Sequence, residues 1–251
     1  MKKIVSYFCV TVILFNFCSC YSIVFSALGV LDKSPTLKRM NNSVKETIFI
    51  PMHHIGKQGF YDDVKNKVDS LRKIGYSIYY EGIKFSKDND SLKNDTLAMK
   101  LRKINGVDFR AMKSNGGYID TLNNTLMGIK IKAISRHKLR NQPRARNFFD
   151  TGVDRRVDVY LSDAVSAFER KYGIIVLNDC DFNKKPGVKY DCGNYNGKGD
   201  KKFITEKFRN EFIAGEIIKD THSKIVLVYG SKHYQGILTE LQKQDPTWKS
   251  H

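Results

Sequence analysis

Three side chains at the ends of short apolar runs have the chemistry to activate water or hold a divalent ion. His54 closes Thr47-Ile48-Phe49-Ile50-Pro51-Met52-His53-His54, and His233 closes Ile225-Val226-Leu227-Val228-Tyr229-Gly230-Ser231-Lys232-His233. Glu81 follows Tyr76-Ser77-Ile78-Tyr79-Tyr80. Imidazole and carboxylate are donors that suit Zn, Mn, Co and Fe(II) alike. Three such ligands with one open position turn a bound water into a hydroxide for hydrolysis. If Glu81 is not a ligand, it is a candidate general base. A lone strand-end histidine is more often a hydrogen-bonded structural residue. Two of them in matching frames shift the balance toward one shared site.

The frames are alike. Each is a buried-strand pattern, a turn carrying His, a glycine (Gly56, Gly236) and then a helical spacing of apolar residues. In open α/β sheets, ligands sit outside the carboxyl ends of the strands, where both histidines would stand. After the first frame, Phe60, Val64, Val68, Leu71 and Ile74 recur at helical spacing, and Gly75 supplies a stop. Residues 76–80 then form a second strand that delivers Glu81, completing a β-α-β unit with parallel strands. Further along, residues 97–104 and 122–134 read as helices. So does 158–172, with Leu161, Val165 and Phe168 on one face. Ile174-Ile175-Val176-Leu177 reads as a third strand, 184–202 as a glycine-rich surface loop, and 203–219 as a helix burying Phe208, Phe212, Ile213 and Ile217. Gly230-Ser231-Lys232-His233 is not a GxSxG elbow, and neither GxGxxG nor a P-loop occurs.

The amino terminus sets the compartment. Met1-Lys2-Lys3 followed by apolar Ile4 to Phe17 has the form of a secretory signal. Phe17-Cys18-Ser19-Cys20 is similar to a bacterial lipobox, with Cys20 as the lipidated residue. Apolar character continues to Leu31, long enough for an uncleaved anchor instead. The expected organisation is a lipoprotein-type signal over 1–19, a tether over 20–46 and an α/β domain over 47–251, held at the bacterial cell envelope outside the cytoplasm. That leaves Cys180 and Cys192 in the folded part, twelve residues apart. In an oxidising compartment they are expected to pair, which stabilises by about 3 kcal/mol in the chain-entropy model. The net charge of +17 favours anionic partners, yet the basic residues are scattered from Lys33 to Lys249. Export argues against nucleic acid. The membrane and a peptide or small anionic ligand are the expected partners.

With these residues in view, the chain resembles the TraB/GumN–Tiki superfamily, which includes erythromycin-esterase-like and haem-binding ChaN-like members. Gly230-Ser231-Lys232-His233 matches its second GxxH, Tyr80-Glu81 its glutamate, and Arg209-Asn210 its helix motif. The first motif departs, with Pro51 where glycine is usual, so His53 and His54 both remain candidates. Phe208 stands where relatives often carry Glu, and Asp158 aligns with a less specific acidic position. The resemblance implies an α/β fold of two related β-α-β halves, forming a mixed, mainly parallel central sheet flanked by helices. It also implies a metal-dependent peptidase-like hydrolase with His54, Glu81 and His233 at the metal and Glu81, Arg209 and Asn210 in catalysis. A non-enzymatic envelope lipoprotein binding haem, metal or an anionic ligand is the alternative.

Overall fold

The computed structural model describes residues 21–88, 90–106, 110, 117–186, 188, 190–193 and 200–251. The signal segment, Cys20 and residues 187, 189 and 194–199 of the glycine-rich loop lie outside the described residues. Six strands form the main sheet: β1 (Lys38–Asn41), β2 (Glu46–Met52), β3 (Ser77–Tyr80), β4 (Arg155–Arg156), β5 (Lys224–Gly230) and β6 (Lys249–Ser250). Their order is β6-β1-β2-β5-β3-β4. The strands β2, β5, β3 and β4 run parallel, while β1 pairs antiparallel with both β2 and β6. Among the described residues, five helices of eight residues or more accompany the sheet: α1 (Gln58–Lys73), α2 (Ser91–Asn105), α3 (Leu161–Tyr172), α4 (Phe208–Lys219) and α5 (His233–Gln244). The fold is thus mixed α/β with a mainly parallel central sheet.

The apolar runs make strands because both faces of the sheet are covered. Along β5, alternate residues serve opposite cores. Leu227 and Tyr229 pack with Phe49, Tyr79 and the α4–α5 side chains Ile213, Ile217, Ile237 and Leu241, together with Trp248. Val226 and Val228 pack with Ile48, Ile50, Ile78 and the α1 residues Phe60, Val64 and Val68. Burying side chains of this size contributes about 1.5–3 kcal/mol each. The register aligns Lys224 with Glu46 through Gly230 with Met52 on one side of β5, and Val228 with Tyr80 on the other. Three adjacent strand ends therefore release His54, His233 and Glu81 at one edge of the sheet. Gly75 stops α1 as its spacing suggests, in the left-handed region at φ +88°.

Other segments depart from their sequence patterns. Ile174 to Leu177 forms no strand: Ile175 is buried against α2 and α3, while Ile174 and Val176 are exposed. Its chain follows Gly173 at φ +98°, and Ile175 N–H donates to Glu169 rather than to a neighbouring strand. Residues 122–134 are no single helix. Left-handed Asn124, Met127 and Gly128 fold the chain through three short strands, and only Ala133–Arg136 is helical. Phe212 is 38% exposed, since α4 is wet on that side. Residues 38–41, expected within the tether, instead extend the sheet, with Met40 fully buried. Cys180 and Cys192 are joined in a disulfide, their Cα atoms 5.5 Å apart. Among the described residues, no helix is long and apolar enough to cross a membrane.

Candidate functional site

Arg209 is the hub. It enters from the first turn of α4, which is preceded by a π-wound turn, Phe203–Lys207, a distortion frequent at functional sites. Its guanidinium clamps Asp158 with two bonds, Nε to Oδ1 at 3.0 Å and Nη2 to Oδ2 at 2.7 Å. The same Nη2 donates to Glu81 Oε1 at 2.6 Å, and Nη1 donates to the Thr205 carbonyl at 3.2 Å. Asp158, its side chain 0% exposed, also accepts the backbone N–H groups of Gly82 and Val159. Glu81 is fixed from both sides, since its Oε2 accepts Gly230 N–H at 2.7 Å. Burial alone would raise the Glu81 pKa, but the Arg209 charge leads the groups that outweigh it, with His233 and His54 adding to it only when their rings are protonated, and the carboxyl is held at about 2.

His233 opens α5 and is buried. Its Nδ1 lies 2.6 Å from Asn210 Oδ1. An amide oxygen can only accept, so Nδ1 carries the proton and the neutral ring presents a bare Nε2. That Nε2 faces Glu81 Oε1 at 3.7 Å. Burial and then the Arg209 charge lower the His233 pKa below the usual histidine value, which keeps the ring neutral. Glycine at 236 is required by this arrangement. A Cβ there would lie 1.9 Å from Asn210 Nδ2, so α5 can approach α4 only without one. Gly236→Ala is expected to lower stability even though alanine favours a helix interior by about 1 kcal/mol. The overpacking costs about 1–3 kcal/mol. Thermal denaturation checks this, and a higher Tm in the variant would contradict it.

The two neighbouring histidines of the first frame face different surroundings. The His53 ring packs 5.1 Å from Phe60 and lies beside Gly29, and its carbonyl accepts the Tyr61 hydroxyl at 3.0 Å. Burial lowers its pKa, with Asp32 opposing. His54 stacks on Tyr118 with ring centres 4.8 Å apart, and its Nδ1 meets Gln142 Oε1 at 3.1 Å. Burial, followed by the Glu81 charge, pushes the Tyr118 hydroxyl up to about 12. Of the two histidines, His54 is thus the one stacked on the ring that senses Glu81. Tyr118 and Gln142 were not legible as site residues, since they come from the basic middle segment, which carries no strong periodicity. Asp158 had one signal: an acid between two valines, where only a paired carboxylate is tolerated.

A divalent ion would find His233 Nε2 and Glu81 Oε1 separated by 3.7 Å. Neighbouring ligand atoms on a tetrahedral zinc-sized ion stand about 3.4 Å apart. Two positions on one ion are thus nearly met. The third is not, because among the described residues the only His, Cys, Asp or Glu trio with ligand atoms within 4.8 Å of one another is Cys180, Asp191 and Cys192. In that trio the sulfurs are spent in the disulfide. Arg209 also places a cation 2.6 Å from the Glu81 oxygen a metal would use. As they stand, these residues do not fit a resident three-ligand metal centre. What they form is a buried Asp–Arg–Glu array beside an oriented neutral imidazole. No protein-family model, curated protein or solved structure matches the chain.

Proposed function

We propose that the chain is an exported, membrane-tethered hydrolase, peptidase-like, whose centre is His233, Glu81 and Arg209 at the carboxyl edge of the sheet. The observation that carries this reading is the His233 imidazole held at Nδ1 by Asn210, with its Nε2 3.7 Å from the Glu81 carboxylate. Such a ring is a general base. Nε2 takes a proton from water as the water oxygen attacks the carbonyl carbon of an amide or ester. The resulting imidazolium is stabilised by Glu81 and returns the proton to the leaving nitrogen or oxygen. Arg209 keeps Glu81 ionised, and Asp158 holds Arg209 in place. Solvent reaches the pair from the Glu81 side, whose side chain is 18% exposed, while the His233 side chain is 5% exposed.

A divalent ion (Mn, Co, Zn or Fe) is the second reading, favoured by one observation. Two carboxylates face one guanidinium, so the cluster keeps one negative charge in excess. His233 and Glu81 offer such an ion two positions 3.7 Å apart, and no third ligand stands beside them among the described residues. The test uses the purified full-length protein on a library of peptides and acyl esters, before and after chelation. Hydrolysis that survives chelation is expected. Hydrolysis abolished by chelator and restored by one metal would replace the first reading with the second, and no cleavage under any condition would contradict both.

A further inference from the structure

A second feature lies outside the catalytic edge, in a small unit that joins residues 21–31 to residues 117–146. Phe25 is buried there against Ile119, Ile131, Ile134 and Leu139, with Val30 and Leu31 packed alongside. Ser22 Oγ bonds His137 Nε2 at 2.9 Å. The chain immediately after the apolar Ile4–Phe17 run is thus locked onto this unit and not free of it.

The surface of the unit is chemically two-sided in composition. Between Asp120 and Asp150 the sequence carries seven Lys and Arg, from Lys130 to Arg146, and no Asp or Glu. All seven are exposed, and none takes part in an ion pair among the described residues. Elsewhere the basic residues of this chain commonly have acidic partners, as Lys67 with Asp63 and Arg72 with Asp154 do. Exposed large apolar side chains stand in the same unit: Tyr21, Ile23, Val24 and Leu28 on the amino-terminal segment, Met127 in the turn between two short strands and Ile129 on the second of them.

We infer that this unit is a docking surface for anionic phospholipid, with the cations on the headgroups and the apolar side chains in the interfacial layer. A soluble polyanion would account for the cations alone. A lipid surface accounts for both classes of side chain, and it is where the preceding apolar run would place the unit. The function follows from position: residues 140–142 carry the chain from the basic surface to the His54 loop. Arg140 and Asn141 pair with Gly56 and Ile55, and Gln142 N–H donates to the His54 carbonyl. Docking would thus hold the site's rim at a fixed orientation to the membrane. The inference does not depend on hydrolysis.

Limited trypsin digestion of the full-length protein tests it in vesicles of phosphatidylcholine alone and in vesicles with added phosphatidylglycerol. The anchor is then common to both lipids and only the headgroup charge differs. Cleavage between Lys130 and Arg146 is expected to slow by roughly tenfold in the anionic vesicles. It should recover near 1 M salt, where the screening length falls to about 3 Å. Cleavage after Lys65 and Lys219, outside the unit, should not change. A Lys132→Glu, Lys138→Glu, Arg144→Glu variant, all at exposed positions, should lose the protection while keeping the wild-type Tm. Equal cleavage in the two lipids overturns the proposal. So does protection that heparin reproduces and anionic vesicles do not, which would identify a soluble polyanion as the ligand.

Discussion

Arg209→Leu is expected to lower stability by about 3–5 kcal/mol at neutral pH, the usual cost of removing one partner from a buried charge array. Asp158 and Glu81 would be left without their guanidinium, the first fully buried and the second 18% exposed. Against a total stability of about 5–15 kcal/mol, a loss of that size approaches unfolding. The pH dependence gives the mechanism a signature. In the wild type the Glu81 pKa is depressed from 4.5 to about 2, so its contribution is full above 4.5 and is lost as pH falls toward 2. In the variant both carboxylates favour protonation, so acid relieves their strain. The stability gap between the two proteins should therefore narrow as pH falls from 7 to 4. Urea denaturation at several pH values measures it. A gap below about 1 kcal/mol at pH 7, the scale of an exposed pair, would mean the array is solvated and not buried.

His233→Ala has the largest expected effect on activity. Losing a general base lowers kcat/KM by about 10²–10⁴-fold. The cost in stability is smaller, about 1–3 kcal/mol for the Asn210 Oδ1 left without its donor. The separation of the two effects is the point of the pair. Arg209→Leu should fail mainly in folding, and His233→Ala mainly in turnover. Equal losses of both properties in both variants would dissolve the division of labour assigned to the two residues.

Much of the sheet was legible because its strands are buried on both faces and read as unbroken apolar runs, as Ile48–Ile50 and Ile225–Tyr229 do. The β2-α1-β3 unit followed from one helical spacing and one glycine. Convergence of Glu81 and His233 could be anticipated through strand ends, while no local pattern brings Arg209 and Asn210 to them. The distances among the four could not be anticipated, since nothing local encodes how α4 approaches α5. That approach depends on Gly236, whose role is visible only when Asn210 is seen lying where a Cβ would be. The Ile174–Leu177 run misleads for the opposite reason. Its apolar residues meet the strand pattern, but the sheet closes on the two-residue strand Arg155–Arg156, whose arginines no hydrophobic scan would select. His54 shows the same limit: sequence brings it to the right edge, while Tyr118 and Gln142, more than 60 residues away, decide where its ring lies.

The pH dependence of kcat/KM, measured for wild type and His233→Ala on the best substrate in the peptide and ester library, tests the central claim most directly. A neutral His233 acting as base gives the wild type an acid limb with its midpoint below the ordinary histidine value of 6.5, and that limb disappears from the residual activity of the variant. The same limb persisting in His233→Ala, with comparable rates, would contradict the assignment of His233 as the base and with it the proposed centre.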